Sequence, residues 1–187
     1  TLIPERRNTF SLTGVAGHLE CALDRPKAAA RAIALIAHPH PLYGGTMDNK
    51  VVQTLVYAFN DLDCAAYGMN FRGVGASEGV HDHGIGETED MLLLAQHAQG
   101  EQGPLPVFLA GFSFGCYVQT RVAQRVSTKQ MVLVAPAVNR FEVAQVPANT
   151  LVIHGEVDET VPLAAVLEWA RPQNLPIALV PGADHFF

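Results

Sequence analysis

Three cysteines in 187 residues, an odd number with no Cys-x-x-Cys pair, argue against a disulfide framework. Cys21, Cys64 and Cys116 read instead as small core residues in a reducing compartment. Basic residues are also scarce: Lys and Arg total 12 against 18 Asp and Glu, for a net charge of −6, and nowhere do they cluster. Phosphate binding needs concentrated positive charge, so nucleic acid and anionic membrane are excluded as main partners. No apolar run approaches the roughly 18 to 20 residues of a membrane span, and the opening TLIPERRNTF lacks the apolar core of a signal peptide. A cytoplasmic location is the expectation. No repeat or low-complexity tract interrupts the chain.

What is present is apolar and periodic. With 49% apolar residues, the length suits one domain, 1–187, with a substantial core. Segments 8–13 and 17–23 meet through GVAG and read as an antiparallel hairpin. From Ala32 the pattern changes. The apolar runs AIALIA (32–37), CAAYGMNF (64–71), PVFLA (106–110), MVLVA (131–135), TLVIHG (150–155) and PIALVPG (176–182) alternate with stretches of helical period near 49–60, 86–99, after 115 and 162–171. Continuous apolar strands separated by helices predict a mostly parallel, twisted α/β sheet covered on both faces. The connection from MVLVA to TLVIHG carries Pro136 and Pro147 and is too short for a cap domain, so a site at this edge should be open.

Directly after the strand PVFLA and directly before a helix stands Gly111-Phe112-Ser113-Phe114-Gly115. A GxSxG match occurs by chance in about 5% of chains this long, so its placement must carry the argument. Between strand and helix it predicts a nucleophile elbow, a turn so tight that its flanks need small residues and its serine projects outward. Ser113 needs a base to take its proton and a carboxylate to orient that base. Both follow in order: Asp158 in HGEVDETVP after one strand, and His185 in PGADHFF after the last. All three fall at carboxyl ends of parallel strands, where open α/β sheets build their sites. Glu156 and Asp184 are rival carboxylates, expected to shape loops or cap helices.

An acyl-transfer site also needs two N–H donors for the oxyanion. Phe114, next after the serine, is one candidate. The other lies in the loop His38-Pro39-His40-Pro41-Leu42-Tyr43-Gly44-Gly45. Pro39 and Pro41 have no N–H, which leaves His40, with Leu42 as the alternative. Leu42, Tyr43 and Gly44 are expected near the substrate, although Gly44 and Gly45 equally suit a plain turn. Arg72, in NFRGVGASEG, is a candidate for binding a substrate carboxylate or, alternatively, for bracing its loop. Ser77 closes a turn. The pairs His38/His40 and His81/His83 lack a third ligand at suitable spacing, so neither a metal nor any other cofactor is expected. His154 reads as a satisfied structural histidine. Cys116, three residues after Ser113, is either buried or at the site rim. Loops near 42–46, 73–85 and 136–148 are expected to wall the pocket.

HPHPLYGGTMDNKVV, NFRGVGASEG, GFSFG, and HGEVDETVP with GADHFF together resemble the α/β-hydrolase superfamily from about residue 10 to the end. More narrowly, they look like a small cap-less bacterial branch akin to dienelactone-hydrolase-like proteins, mostly known as predicted hydrolases. Dienelactone hydrolases use a cysteine where this chain has Ser113, which disfavours that chemistry, and the Asp nucleophile of dehalogenases and epoxide hydrolases is absent. The fold usually continues past its histidine into a final helix, whereas this chain stops at Phe187, as expected of a truncated domain. The resemblance implies a serine hydrolase acting on small carboxylic esters or thioesters through an acyl-enzyme. Two alternatives stand beside it: a short-peptide or amide hydrolase with the same triad, and a non-catalytic binding module. Neither the oligomeric state nor the acyl chain is encoded legibly.

Overall fold

A computed structural model describes residues 7–187. Strands β1 (Arg7–Gly14) and β2 (Gly17–Asp24) form the antiparallel hairpin, and β2 pairs antiparallel with β4 (Cys64–Met69). The parallel part follows in the order β4, β3 (Ala32–Ala37), β5 (Val107–Phe112), β6 (Gln130–Val134), β7 (Leu151–Gly155), β8 (Ile177–Val180). This is the α/β sheet expected from the alternation of apolar runs and helices. The local sequence reports strand position directly: β3 is buried at all six residues, as a central strand covered on both faces must be, whereas β1 alternates partly buried with exposed positions along most of its length.

Helix α1 (Lys50–Asp61) packs Val52, Leu55, Val56 and Phe59 on one face of the sheet, against Ile36, Ala110 and Phe112. Its stripe of apolar positions follows the helical period, and Asn49 caps its start by accepting from Val51 N (2.8 Å) and Val52 N (3.2 Å). Helices α2 (Ile85–Gln102) and α3 (Phe114–Val122) cover the opposite face, where Met91, Leu94 and Val118 meet Leu35, Tyr67 and Leu109. Glu87, wholly buried, accepts from Gly84 N (3.0 Å) and Asp82 N (2.9 Å) and so holds the entry to α2. Helix α4 (Leu163–Ala170) closes a smaller cluster around Val152, Val161 and Val166.

Between β6 and β7 there is no helix or strand, so no cap stands over the sheet edge. Among the described residues no helix is long and apolar enough to cross a membrane. The three cysteines are all buried. Cys116 lies behind the elbow rather than at its rim. Its Sγ–H faces Gly111 O (3.2 Å) and Val134 O (3.3 Å), and burial pushes the thiol pKa far up, which makes it inert.

Candidate active site

Ser113 occupies the turn between β5 and α3 with φ 56° and ψ −114°, a conformation rarely tolerated outside glycine. The surroundings enforce it. Ser113 N–H donates to Val134 O (2.9 Å), tying the turn to β6. A Cβ on Gly115 would fall 2.2 Å from Ala37 O, so only glycine lets α3 start this close to the end of β3. The result is a serine projecting beyond the sheet edge while its backbone stays in the core.

His185 Nδ1–H donates to Asp158 Oδ2 at 2.7 Å, which fixes the tautomer and leaves Nε2 to accept from Ser113 Oγ at 3.1 Å. The loops that carry Asp158 and His185 are bonded to each other: Glu156 N donates to Val180 O (3.0 Å) and Val157 N to Ala183 O (2.9 Å). The Phe112 ring packs on the imidazole, with centroids 5.2 Å apart, and Phe186 approaches it edge-on. Asp158 is 5% exposed and His185 also 5%, so their pairing is shielded from bulk water. The rival carboxylates lie elsewhere: Glu156 is exposed, and Asp184 accepts from Phe186 N (2.9 Å) in the turn that presents His185.

One supporting residue was read from sequence only as structural. His154, fully buried, donates Nε2–H to Val161 O (2.7 Å), while Val161 N–H donates to Asp158 Oδ1 (2.7 Å). The Val161 backbone therefore links His154 to the second oxygen of the carboxylate, and His154 Nε2 itself lies 3.6 Å from Asp158 Oδ2. No sequence pattern announces this link, because it closes through a backbone group.

On the other wall, His38 is fully buried. Its Nδ1–H donates to Pro39 O (2.7 Å), and its Nε2 accepts from Phe71 N (3.0 Å), which pins the 38–45 loop to the end of β4. Burial lowers the His38 pKa to about 4, against a smaller opposing effect of the Pro39 carbonyl. His40 follows at the cleft, with its ring near Phe114 (4.9 Å between centroids) and His81 (5.0 Å). Burial, and then the positive charges of His81 and Arg140, lower its pKa. The Leu42 N–H is spent on His40 Nδ1 (3.2 Å), which leaves His40 as the loop's better candidate for an oxyanion donor. Phe114 is the first residue of α3, so its N–H has no acceptor within that helix.

These groups open into a cleft of about 590 Å³ whose lining includes Ser113, His185, His40, Tyr43, Gly44 and Phe114. Two of the residues expected to touch substrate stand outside the lining, as does Asp158 behind His185. Leu42 turns to solvent, 64% exposed. Arg72 donates to Asp90 through Nε (2.7 Å) and Nη2 (2.8 Å) and to Gly86 O (3.1 Å), so its guanidinium braces the loop against α2. The 73–85 loop also stays out of the lining. It folds onto the hairpin, with Glu78 N donating to His18 O (2.7 Å) and Glu20 N to Ser77 Oγ (2.8 Å). With Pro39 and Gly45 of the 38–45 loop, Asn49, Ala137, Arg140, Phe141, Thr160 and Phe186 complete the walls. Of the last six, only the 136–148 stretch was foreseeable, as a loop leaving a strand at the correct edge.

Residues 29–152 match the family described as "Serine aminopeptidase, S33". The chain is 35% identical to a structure from Xanthomonas campestris described as an α/β serine hydrolase without lid, with a TM-score of 0.93 over 100% of this chain and 89% of that one. An α/β serine hydrolase homologue from Coxiella burnetii is 36% identical, with a TM-score of 0.91 over 100% and 92%. An uncharacterized protein of Rickettsia prowazekii is 31% identical over 93% of this chain and 79% of its own length. With its elbow, sheet order and open edge, the chain belongs to the S33 family of α/β hydrolases and has that fold in its lidless form.

Proposed function

We propose that this protein is a serine hydrolase of small carboxylic esters or thioesters, working through an acyl-enzyme. The observation that carries the reading is the unbroken chain Ser113 Oγ, His185, Asp158, with 3.1 and 2.7 Å separations, at the floor of an uncapped cleft. As Ser113 Oγ attacks the carbonyl carbon, its proton passes to His185 Nε2, and Asp158 stabilises the imidazolium. The carbonyl oxygen gains charge and accepts from the N–H groups of Phe114 and His40, each worth roughly 3 to 4 kcal/mol. Collapse expels the alkoxide or thiolate, which takes the proton from His185. Water then repeats the sequence on the acyl-serine and frees the acid. An open cleft favours short acyl groups.

The family's description favours a second reading, hydrolysis of short peptides from the amino end. Capture of a free α-ammonium calls for a carboxylate at the cleft, and the lining contains no Asp or Glu. Esters therefore rank first. The test is hydrolysis of 4-nitrophenyl esters of increasing acyl length, beside aminoacyl anilides, by the protein and its Ser113→Ala variant. Serine-dependent ester turnover that falls with chain length is the expected result. Faster anilide cleavage would reverse the ranking, and full turnover by Ser113→Ala would end the serine mechanism.

A further inference from the structure

Charge is distributed unevenly between this protein's cleft and the rest of its surface. The chain carries a net charge of −6, yet among the residues lining the cleft the only Lys, Arg, Asp or Glu is Arg140. Asp158, the nearest site carboxylate, sits behind His185 and is already committed to His185 and to Val161 N. The other uncharged hydrogen-bonding groups of the wall include Asn49, Tyr43 and Thr160.

Arg140 itself is exposed, and among the described residues it has no carboxylate within ion-pair distance. Arg7, Arg72 and Arg125 each have at least one, and of the described arginines without one, Arg140 is the one that lines the cleft. Its loop is nonetheless held in place. Arg140 N and Phe141 N both donate to Ala137 O (3.2 Å each), Asn139 Nδ2 donates to Thr160 O (3.0 Å), and the Phe141 ring stacks on Tyr117 with centroids 4.7 Å apart. A cation on an anchored turn, facing a cleft without competing carboxylates, offers its charge to whatever enters. Its charge is felt at His40, where, after burial and His81, it helps to lower the pKa against the opposing Glu87 carboxylate.

We infer that Arg140 is a specificity-determining residue that binds a carboxylate on the substrate, so that the preferred substrates are monoesters or thioesters of short dicarboxylic acids. This rests on the ester-hydrolase reading and narrows it to a class. Guanidinium and carboxylate match as a planar, forked pair, and a partly enclosed cleft screens that pair less than open solvent does. The anionic end also keeps the substrate amphipathic, with its short methylene chain against Ala137, Phe141 and Phe186 and its ester at Ser113. The chain length that best bridges Ser113 and Arg140 is what the experiment measures.

The probes are the monomethyl esters of succinic, glutaric and adipic acid, each paired with the neutral methyl ester of equal chain length, with methanol release followed by NMR. The readout is the ratio of kcat/KM for acid over neutral ester, so that any general loss of activity cancels. At one of the three lengths the ratio should reach about 5-fold or more at low salt and fall toward one at 1 M salt, as expected for a partly exposed pair. Arg140→Gln should bring it to one, and Arg140→Glu should invert it. A ratio at or below one in the unmodified protein, or a ratio that Arg140→Gln leaves unchanged, overturns the inference.

Failure of the hydrolase reading is separable. In Ser113→Ala, ligand-observed NMR compares binding of monomethyl adipate and methyl hexanoate without any turnover. An Arg140-dependent preference for the acid there supports the subsite even if no ester is cleaved. Equal binding of the two overturns it even if esters are cleaved well.

Discussion

On one wall of the cleft, Ser113 is held by backbone packed against backbone, with the 38–45 loop pinned beside it by the His38 ring; on the other, backbone bonds join the loops of Asp158 and His185, but the two side chains are aimed by a chain of side-chain hydrogen bonds. The elbow wall has almost no freedom. Ser113 N is tied to Val134 O, Gly115 touches the end of β3, and a Cβ on Gly45 would fall 2.1 Å from Pro39 O. The acid–base wall is a relay: His154 to the Val161 carbonyl, the Val161 N–H to Asp158, and Asp158 to His185. The difference follows from what each wall must do. In the proposed reaction, the nucleophile and the oxyanion donors need fixed positions in space, which rigid backbone supplies, whereas the base must change charge, which a set of hydrogen bonds can follow.

Substitutions on the two walls should therefore fail differently. The largest loss is expected from Asp158→Asn, where the amide oxygen can still accept from Val161 N but the His185 tautomer is no longer enforced. Ester kcat should fall about 10⁴-fold with the fold retained, measured as kcat beside circular dichroism. On the elbow wall, His40→Pro is the sharpest change, because His40 has φ −55°, which proline accepts, while its N–H is removed. Turnover should drop about 10²- to 10³-fold relative to His40→Ala, which lacks the same side chain but keeps the donor. Equal rates for the two variants would move the second oxyanion donor elsewhere.

His38 makes the elbow wall sensitive to pH through stability rather than rate. Unfolded, it titrates near its ordinary 6.5; folded, near 4. Below pH 6.5 the unfolded chain gains a proton that the buried imidazole refuses, so stability that is complete above that pH is lost as it falls toward 4. The loss is at most about 3 kcal/mol. Denaturant midpoints at pH 7 and 4.5 should show it, and His38→Asn should flatten that part of the dependence. The smallest effect is expected from His154→Phe on the relay wall. It removes the anchor on Val161 O and the imidazole that stands 3.6 Å from Asp158 Oδ2, for a loss of about 10-fold in kcat, the order usual for a partner that orients a reacting group. The pH–rate profile should shift with it, whereas a purely structural role would lower the melting temperature and leave the profile in place.

The same contrast explains what could be read from the sequence. The elbow wall was legible because its demands are local: small residues at 111 and 115 around a serine, prolines that exclude their own N–H, and a strand and a helix on either side. Strand and helix positions were legible for a similar reason, since β3 is apolar throughout and α1 carries its stripe and its Asn49 cap in adjacent residues. Asp158 and His185 could be placed by chain order after successive strands. Their supports could not, because the Val161 peptide offers the same N–H and carbonyl as any other residue. Arg72 stayed open between two readings for a related reason: an arginine leaving a strand at the site edge suits substrate and brace alike, and only the position of Asp90 on α2 decides for the brace. Arg140, on an irregular loop, carried no local signal beyond the edge from which that loop departs.

Activation of Ser113 by His185 is the centre of the proposed mechanism, and covalent labelling by a fluorophosphonate probe reads it directly. Mass analysis of the folded protein should find one adduct, on the peptide containing Ser113, formed rapidly by the unmodified protein and at least about 100-fold more slowly by His185→Ala. No adduct on the folded protein, an adduct on another residue, or equal rates in the two proteins would contradict it and leave a hydrolase fold without the chemistry.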